Sequence, residues 1–429
     1  MNTNKQPAGR EGPGIIVVGG GPAGIMAAGR AGELGVKATL IEKNPQLGLK
    51  LLLTGGGRCN VTNSAGLKGF IQAFGANGKF LYRALSVFSS RSLTGFLNSH
   101  GVPTRADPDG KIFPADDKAQ SVLGALSSYL RHGRVKVACG LQVSSLLLRG
   151  GAALEGVVLS DGSVLRGKKV IIATGGMSYP KTGSTGGGYA LARQGGHTIV
   201  PLRPGLTALE SDELFIKDLQ GLTLQNVTMA VLVNGARTAA GKGDLLFTHF
   251  GVSGPRLLLL SGAAVDGFGT GGRVELSVNL KPDRTPEELN AETRAYFAAN
   301  GGKQLTSYFR TILPGSLAPV FERLCGADRA RQCASITAAE RKKIVGLLAD
   351  FRIHLTRPRP LQEATVTRGG VNLAEIDPQT MESRLVRGLY FCGEVVDLDG
   401  LTGGYNLQEA FSTGYLAGQS AALTTAPEL

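Results

Sequence analysis

A chain of 429 residues, 42% of them hydrophobic, has length for one large or two to three smaller domains and enough apolar side chains for a core. Its formal net charge of +13, from 46 basic and 33 acidic residues, suggests a polyanionic partner, because clustered Lys and Arg gain affinity by displacing counterions from phosphates. No unbroken apolar run of ~18 residues suits a helical membrane span, and the scattered cysteines Cys59, Cys139, Cys325, Cys333 and Cys392 form no C-x-x-C, which argues against a structural zinc site or a dithiol redox pair.

Residues 1–13 are polar and lack an apolar signal core, so they read as a disordered tail and the protein is expected in the cytoplasm. Neither a membrane nor a metal partner is expected. Cys325 and Cys333 could pair, but a reducing compartment argues against it.

Ile15, Ile16, Val17 and Val18 form a continuous apolar run, the pattern of a strand buried on both faces. Gly19, Gly21 and Gly24 then give G-x-G-x-x-G around Pro22 and Ala23. The first glycine permits a tight turn, the second lets backbone approach a pyrophosphate, and the third lets helix pack close on strand. A small-residue helix follows, whose N-terminal N–H groups and dipole suit phosphate. A second strand, Lys37 to Ile41, ends at Glu42, roughly 20 residues on, where an acid can hold a ribose hydroxyl.

After Glu42 and Lys43, the apolar residues Leu51 to Leu53 run into Thr54-Gly55-Gly56-Gly57. Consecutive glycines allow positive φ and close backbone approach to a ligand. Arg58 is a natural partner for a pyrophosphate, and Cys59, Asn60, Thr62 and Asn63 add polar groups. Residues 79–100 read as helix, Asp107 to Gly110 as a turn, and Ala119 to Leu130 as an amphipathic helix. Strand-like pieces cover Arg134–Ala138, Leu141–Leu148 and Leu154–Leu159. Lys169 to Thr174 is a buried strand closing on Gly175-Gly176, as in a flavoprotein with two dinucleotide-type folds.

The character changes near His197. Thr223–Asn234, Asp244–His249 and Arg273–Asn279 read as strands, and residues 286–300, 317–325 and 337–348 as helices, the last with a Thr337-x-x-Glu340 capping box. We expect a small β domain over 197–280 and a helical subdomain over 281–350, both inserted in a cofactor domain over 14–196 and 351–429. In the return segment, strand Leu389–Cys392 leads to Gly393-Glu394, an acid placed to bind a ribityl chain. Gly403-Gly404 opens a last helix whose N-terminal amides suit the pyrimidine edge of a flavin.

The segments IIVVGGGPAG, LLLTGGGRCNVTN, IIATGG, LFTHFGVSGP and YFCGEVVDLDGLTGGYNLQEAFSTG resemble the BaiN/RdsA (YhiN-like) family of FAD-dependent oxidoreductases over about residues 14–422. The resemblance implies an α/β fold: a Rossmann-like FAD domain of the two-dinucleotide-binding type, with an inserted small β-barrel and a helical subdomain. It also implies reduction of carbon–carbon double bonds with NAD(P)H. One branch of the family is a ribosomal RNA dihydrouridine synthase, another is linked to bile-acid intermediates, and aminoacetone oxidase is a further name in use. By position, Gly19, Gly21 and Gly24 would face the FAD diphosphate and Glu42 the adenosine ribose. Arg58 and Asn60 would lie near the flavin, with Gly393, Glu394, Asn406 and Leu407 on its other side. Pro22, Ala23, Lys43, Gly57, Cys59, Thr174, Gly175 and Gly404 complete the expected cofactor site. No separate NAD(P)H fingerprint follows a strand, so nicotinamide is expected to bind transiently.

The protein must orient the substrate and supply a proton. Cys59, His249 and Tyr405 are the candidate acids; against each stands a plain structural role in packing. From Lys43 to Ala106 there are eight Lys or Arg residues and no acid, interleaved with Phe70, Phe74, Phe80, Tyr82 and Phe88. A second basic cluster comprises Arg341, Lys342, Lys343, Arg352, Arg357 and Arg359. Such runs suit either nucleic acid or a solvated face. We assign Arg58 to the flavin and Lys68, Lys79, Arg83 and Arg91 to RNA phosphate. The leading expectation is reduction of uridine in ribosomal RNA. The alternative is a small-molecule enone reductase or amine oxidase, and a third is a non-enzymatic FAD-bearing RNA-binding or structural protein.

Overall fold

The computed structural model describes residues 14–150, 153–326 and 331–424, so the tail expected over residues 1–13 lies outside the described residues. Ile15–Val18 (β1) is the centre of a five-stranded sheet, ordered Leu389–Phe391, Val170–Ile172, β1, Ala38–Glu42 (β2), Lys136–Cys139. Every pairing is parallel, with Val17 opposite Ile171 on one side and Leu40 on the other. Continuous burial of β1 and β2 explains their unbroken apolar character.

Pro22–Glu33 (α1) begins with Pro at its first position, where a missing N–H costs nothing. It packs against the C-terminal helix, Tyr405–Leu423. A Cβ on Gly414 would fall 2.3 Å from the Ala23 carbonyl oxygen, and one on Gly418 2.2 Å from that of Ala27. The two helix backbones therefore meet with no side chain between them.

The helix expected over 79–100 is interrupted. A tight turn of helix over Gly75–Leu81 leads into Tyr82–Val87, and a new helix runs over Ser90–Ser99. The break falls at Phe88 and Ser89 because the Ser89 hydroxyl accepts the Ser92 N–H at 3.2 Å, capping the second helix.

The chain forms two compact units, one up to Arg203 and again from Thr365, the other over Pro204–Ala364. The second unit holds a seven-stranded sheet ordered Phe351–Leu355, Val274–Asn279, Thr223–Val233, Ala236–Phe247, Gly251–Ser253, Leu209–Glu210, Arg357–Pro358, with antiparallel pairings throughout. Its helices include Pro286–Ala299, Leu305–Ile312, Leu317–Cys325 and Ala338–Ala349; the last carries its Thr337/Glu340 capping box. These helices share the sheet's core: the Phe321 ring lies 5.4 Å from that of Phe351.

The unit boundaries differ from those read in the sequence. Residues 351–364 stay with the inserted sheet instead of rejoining the first unit. Arg357 and Arg359 hold them there, donating to the two oxygens of the buried Glu210 carboxylate at 2.7 and 2.8 Å. The entry boundary shifts from 197 to 204 for a similar reason, since His197 Nε2 lies 2.7 Å from Ser383 Oγ within the first unit.

Candidate cofactor and active site

The C-terminal ends of the parallel strands carry the expected motif residues, and the glycines there have distinct physical reasons. Gly19 has φ +108, and a Cβ on it would fall 2.5 Å from the Ala173 carbonyl oxygen. A Cβ on Gly24 would fall 1.9 Å from the Gly19 carbonyl oxygen. Gly21 is different: it is the N-cap of α1, its φ is −82, and an added Cβ would meet no protein atom within 4 Å. No packing contact requires its glycine. The α1 N-terminus has no capping side chain and no acid in its first turn, which leaves its N–H groups and dipole available to an anion.

Glu42 is buried at the end of β2. Its Oε1 accepts the backbone and side-chain N–H of Asn44 at 2.8 and 2.7 Å, while among the described residues Oε2 accepts only the Gly20 N–H, at 2.7 Å. A carboxylate oxygen accepts about two hydrogen bonds, so Oε2 retains capacity for one hydroxyl. Lys43 is tied elsewhere, donating to Thr185 Oγ1 at 2.6 Å. Burial lowers its pKa.

Gly55, Gly56 and Gly57 all have positive φ, and Cys59 follows at φ +62. Cys59 is fully buried, its N–H donates to the Thr54 carbonyl at 3.0 Å, and burial pushes its thiol up to about 12. Arg58 is exposed, with its guanidinium 4.5 Å above the Phe113 ring. With its amide oriented to satisfy both ends, Asn60 donates to the Thr62 and Ile112 carbonyls at 2.9 and 3.1 Å and accepts the Gly404 N–H at 3.0 Å. Asn60 thus fastens the glycine loop to the start of the C-terminal helix.

That helix also begins without a capping side chain or a first-turn acid. Gly404, at φ +92, lies against Thr62, whose carbonyl oxygen would be 2.3 Å from an added Cβ. Tyr405 packs edge-on against Phe70 with ring centroids 5.0 Å apart. The Asn406 amide turns back on its own loop, accepting from Gly400 N–H at 2.7 Å and donating to the Gly400 carbonyl at 3.0 Å. Its side chain is therefore committed within the protein, which leaves the backbone as its route to a ligand. Leu407 packs on the core of the first unit.

Glu394 gathers three segments. Its Oε1 accepts from the Thr367 N–H at 2.8 Å and from Ser178 Oγ at 3.2 Å, and its Oε2 from Lys50 Nζ at 2.7 Å. Lys50 Nζ also donates to Ser178 Oγ at 2.6 Å. Like Glu42, Glu394 keeps one acceptor position on Oε2. Lys50 was not read from the sequence as a site residue, because its partners Ser178 and Glu394 come from distant segments. The Thr174 side chain is enclosed, since a Cβ on Gly188 would fall 1.9 Å from its Oγ1. Gly175 and Gly393 both have φ +72, and the Gly393 N–H donates to Thr413 Oγ1 at 3.0 Å. Glu409, on the C-terminal helix, is buried with no ion-pair partner among the described residues, and burial pushes its pKa up to about 8.

His249 lies in the second unit, exposed, with its ring centroid 5.0 Å from that of Phe250; Arg359 stacks on Phe250 at 4.5 Å. The basic stretch divides by partner. Lys50 pairs with Glu394, and Arg105 pairs with Asp107 and Asp117. Lys68, Lys79, Arg83 and Arg91 are exposed with no ion-pair partner among the described residues. The second basic cluster is compensated in half of its residues: Arg352, Arg357 and Arg359 pair with Asp350, Glu210 and Glu363, while Arg341 donates to Asn290 Oδ1 and Lys343 to the Cys325 carbonyl. Among the described residues no group of His, Cys, Asp and Glu could hold a metal ion, and no helix is long and apolar enough to cross a membrane.

These residues fit FAD: Gly21 leaves room where nothing in the protein demands it, Glu42 and Glu394 each keep an open acceptor, and two helices begin uncapped. The fold and these residues define an FAD-dependent oxidoreductase. The chain belongs to the HI0933-like family, whose model, described as the HI0933-like protein Rossmann domain, matches residues 13–420. It is 31% identical over 410 residues to a 3-dehydro-bile acid delta(4,6)-reductase of Clostridium scindens, covering 95% of this chain and 98% of the relative. It is also 31% identical over 405 residues to a ribosomal RNA dihydrouridine synthase of Escherichia coli, covering 94% and 96%. Among solved structures, the 3-ketosteroid-delta4-(5alpha)-dehydrogenase of Rhodococcus jostii matches with TM-score 0.53 at 14% identity, covering 98% of this chain and 99% of that one. A flavocytochrome c3 fumarate reductase matches with TM-score 0.51 at 17% identity, covering 97% and 79%. These two likenesses concern the fold alone.

Proposed function

We propose that this chain uses NAD(P)H to reduce an activated carbon–carbon double bond, and that the bond is the C5–C6 bond of uridine in ribosomal RNA. FAD, when bound, supplies the hydride chemistry. The α1 N-terminus and the Gly21 backbone hold its diphosphate, Glu42 a ribose hydroxyl, and Glu394 a ribityl hydroxyl while Lys50 fixes the carboxylate. The N-terminus of the C-terminal helix stabilises negative charge on the pyrimidine edge.

Reduction of uracil adds a hydride at C6 and a proton at C5. The chain's own part is that proton. Cys59, Tyr405 and His249 are the donors to test, by Cys59→Ser, Tyr405→Phe and His249→Asn.

The observation that carries the RNA reading is the set of exposed, unpaired cations Lys68, Lys79, Arg83 and Arg91. Arg357 and Arg359 find a carboxylate; among the described residues these four have no ion-pair partner, and phosphate is a suitable counterion for them. The E. coli relative's name supports the same substrate. Deleting the gene and mapping dihydrouridine in ribosomal RNA tests the reading: loss of a dihydrouridine is expected, and an unchanged map overturns it.

The C. scindens relative, equally similar, supports a second reading as a reductase of a steroid-like enone. Turnover of NAD(P)H with a small enone, at a rate indifferent to added RNA, would favour it.

A further inference from the structure

Between Phe70 and Phe88 the aromatic side chains separate by burial. Phe70, Phe74 and Phe88 lie in the core of the first unit, and Phe80 is half-buried. Tyr82 keeps 59% of its surface exposed. It opens the helix Tyr82–Val87, and its N–H donates to the Lys79 carbonyl. Lys79 therefore stands one turn before Tyr82, Arg83 is its neighbour, and Ser86 follows one turn later on the same side, with its Oγ donating to the Tyr82 carbonyl at 2.7 Å. Lys79, Tyr82, Arg83 and Ser86 are all exposed. Lys68 is exposed on the helix Leu67–Ala73, which packs beside this one.

An exposed ring with one unpaired cation a turn before it and another next to it in sequence is an unusual use of a tyrosine for stability alone. It has the components of a single-strand nucleic-acid site: a π-face on which any base can stack, and positive charge on either side for the backbone. A duplex offers such a face only at its ends, because its bases are already stacked. An acidic protein would satisfy the cations but gain little from the ring.

We infer that this face binds unpaired RNA, one base stacking on Tyr82 while Lys79 and Arg83 hold the flanking phosphates. The inference rests on the RNA reading above and adds the form of the substrate: a loop or an unfolded segment, in which a uridine is also free to leave its stack.

The test uses the full, FAD-loaded chain and fluorescence anisotropy with three probes: a short uridine-rich single strand, a duplex of equal length, and heparin, a polyanion without bases. Tyr82→Ala should weaken single-strand binding about tenfold, the cost of one base–aromatic stack, and leave duplex and heparin binding within about twofold. Tyr82→Phe should restore single-strand binding. The inference is overturned if Tyr82→Ala binds the single strand like wild type, or loses as much affinity for heparin. If the wild-type protein binds neither RNA, the RNA reading itself fails and this inference with it. RNA binding by wild type that is blind to Tyr82 removes the inference alone.

Discussion

Lys50 Nζ lies 2.7 Å from Glu394 Oε2, joining residues 344 positions apart, one on the short helix Leu49–Leu53 and the other just past strand Leu389–Phe391. Both side chains are mostly buried, at 24% and 20% exposed. Removing the ammonium leaves a carboxylate with fewer donors in a poorly solvated place, at a cost of roughly 1–3 kcal/mol. Lys50→Met should therefore lower the melting temperature and release FAD more readily, measured by thermal denaturation and by flavin fluorescence. Lys50→Arg should recover part of both. A methionine variant with wild-type melting and flavin retention would show the pair to be incidental.

Gly21 and Gly24 separate cofactor binding from folding. A methyl at Gly24 runs into the Gly19 carbonyl at 1.9 Å, whereas one at Gly21 meets no protein atom within 4 Å. Gly24→Ala should destabilise the apoprotein by a few kcal/mol, roughly the cost of overpacking. Gly21→Ala should leave the apoprotein's denaturation midpoint unchanged yet weaken FAD binding by isothermal titration. Equal FAD affinity in Gly21→Ala would remove the diphosphate from that position.

Glu409 makes stability depend on pH. Its folded pKa is about 8, against roughly 4.3 in an unfolded chain. Between those values the folded state holds a proton that the unfolded state has lost, so stability falls as pH rises, by about 1.4 kcal/mol per unit, and levels off above the folded value. Burial is the main cause, with repulsion from Glu394 added. Glu409→Gln keeps the shape and cannot ionise. Its melting temperature should drop less than that of wild type between about pH 5 and pH 8. Parallel pH curves for the two proteins would contradict the shift.

Lys79 and Arg83 should act on RNA alone. Each phosphate contact on a single strand contributes about 0.7 to the slope of log affinity against log salt. Lys79→Ala with Arg83→Ala should flatten that slope by about 1.4, while the flavin spectrum and NAD(P)H oxidation stay as in wild type. An unchanged slope would make this stretch a solvated face.

The sequence made some of this legible and hid the rest for physical reasons. The turn at Gly19–Gly24, the strand before it and Glu42 after it are local: each follows from a short apolar run, a missing Cβ or a residue at a strand end. The hub around Glu394 could not be read, because Lys50, Ser178 and Thr367 come from three distant segments. Cys59 follows three glycines, all at positive φ, which turn the chain so that the residue is buried. Mixed helix types between Gly75 and Val87 blurred the periodicity that would have set Tyr82 apart from Phe70, Phe74 and Phe88. The boundary near residue 364 was missed because strand Arg357–Pro358 is only two residues long and is held by side-chain ion pairs.

The close seating of Gly414 and Gly418 on α1 bears on the order of events during synthesis. The strand Leu389–Phe391 at the sheet edge and the helix that covers α1 are among the last parts of the first unit to leave the ribosome. Until then the face of α1 that receives this helix is uncovered, and the long separation in sequence makes that closure slow. Pro204–Ala364 is continuous in the chain and contains its own core, so it can assemble while the earlier segment waits. A nascent chain arrested before residue 389 should accordingly protect the inserted unit from protease and leave the nucleotide-fold segment open to cleavage.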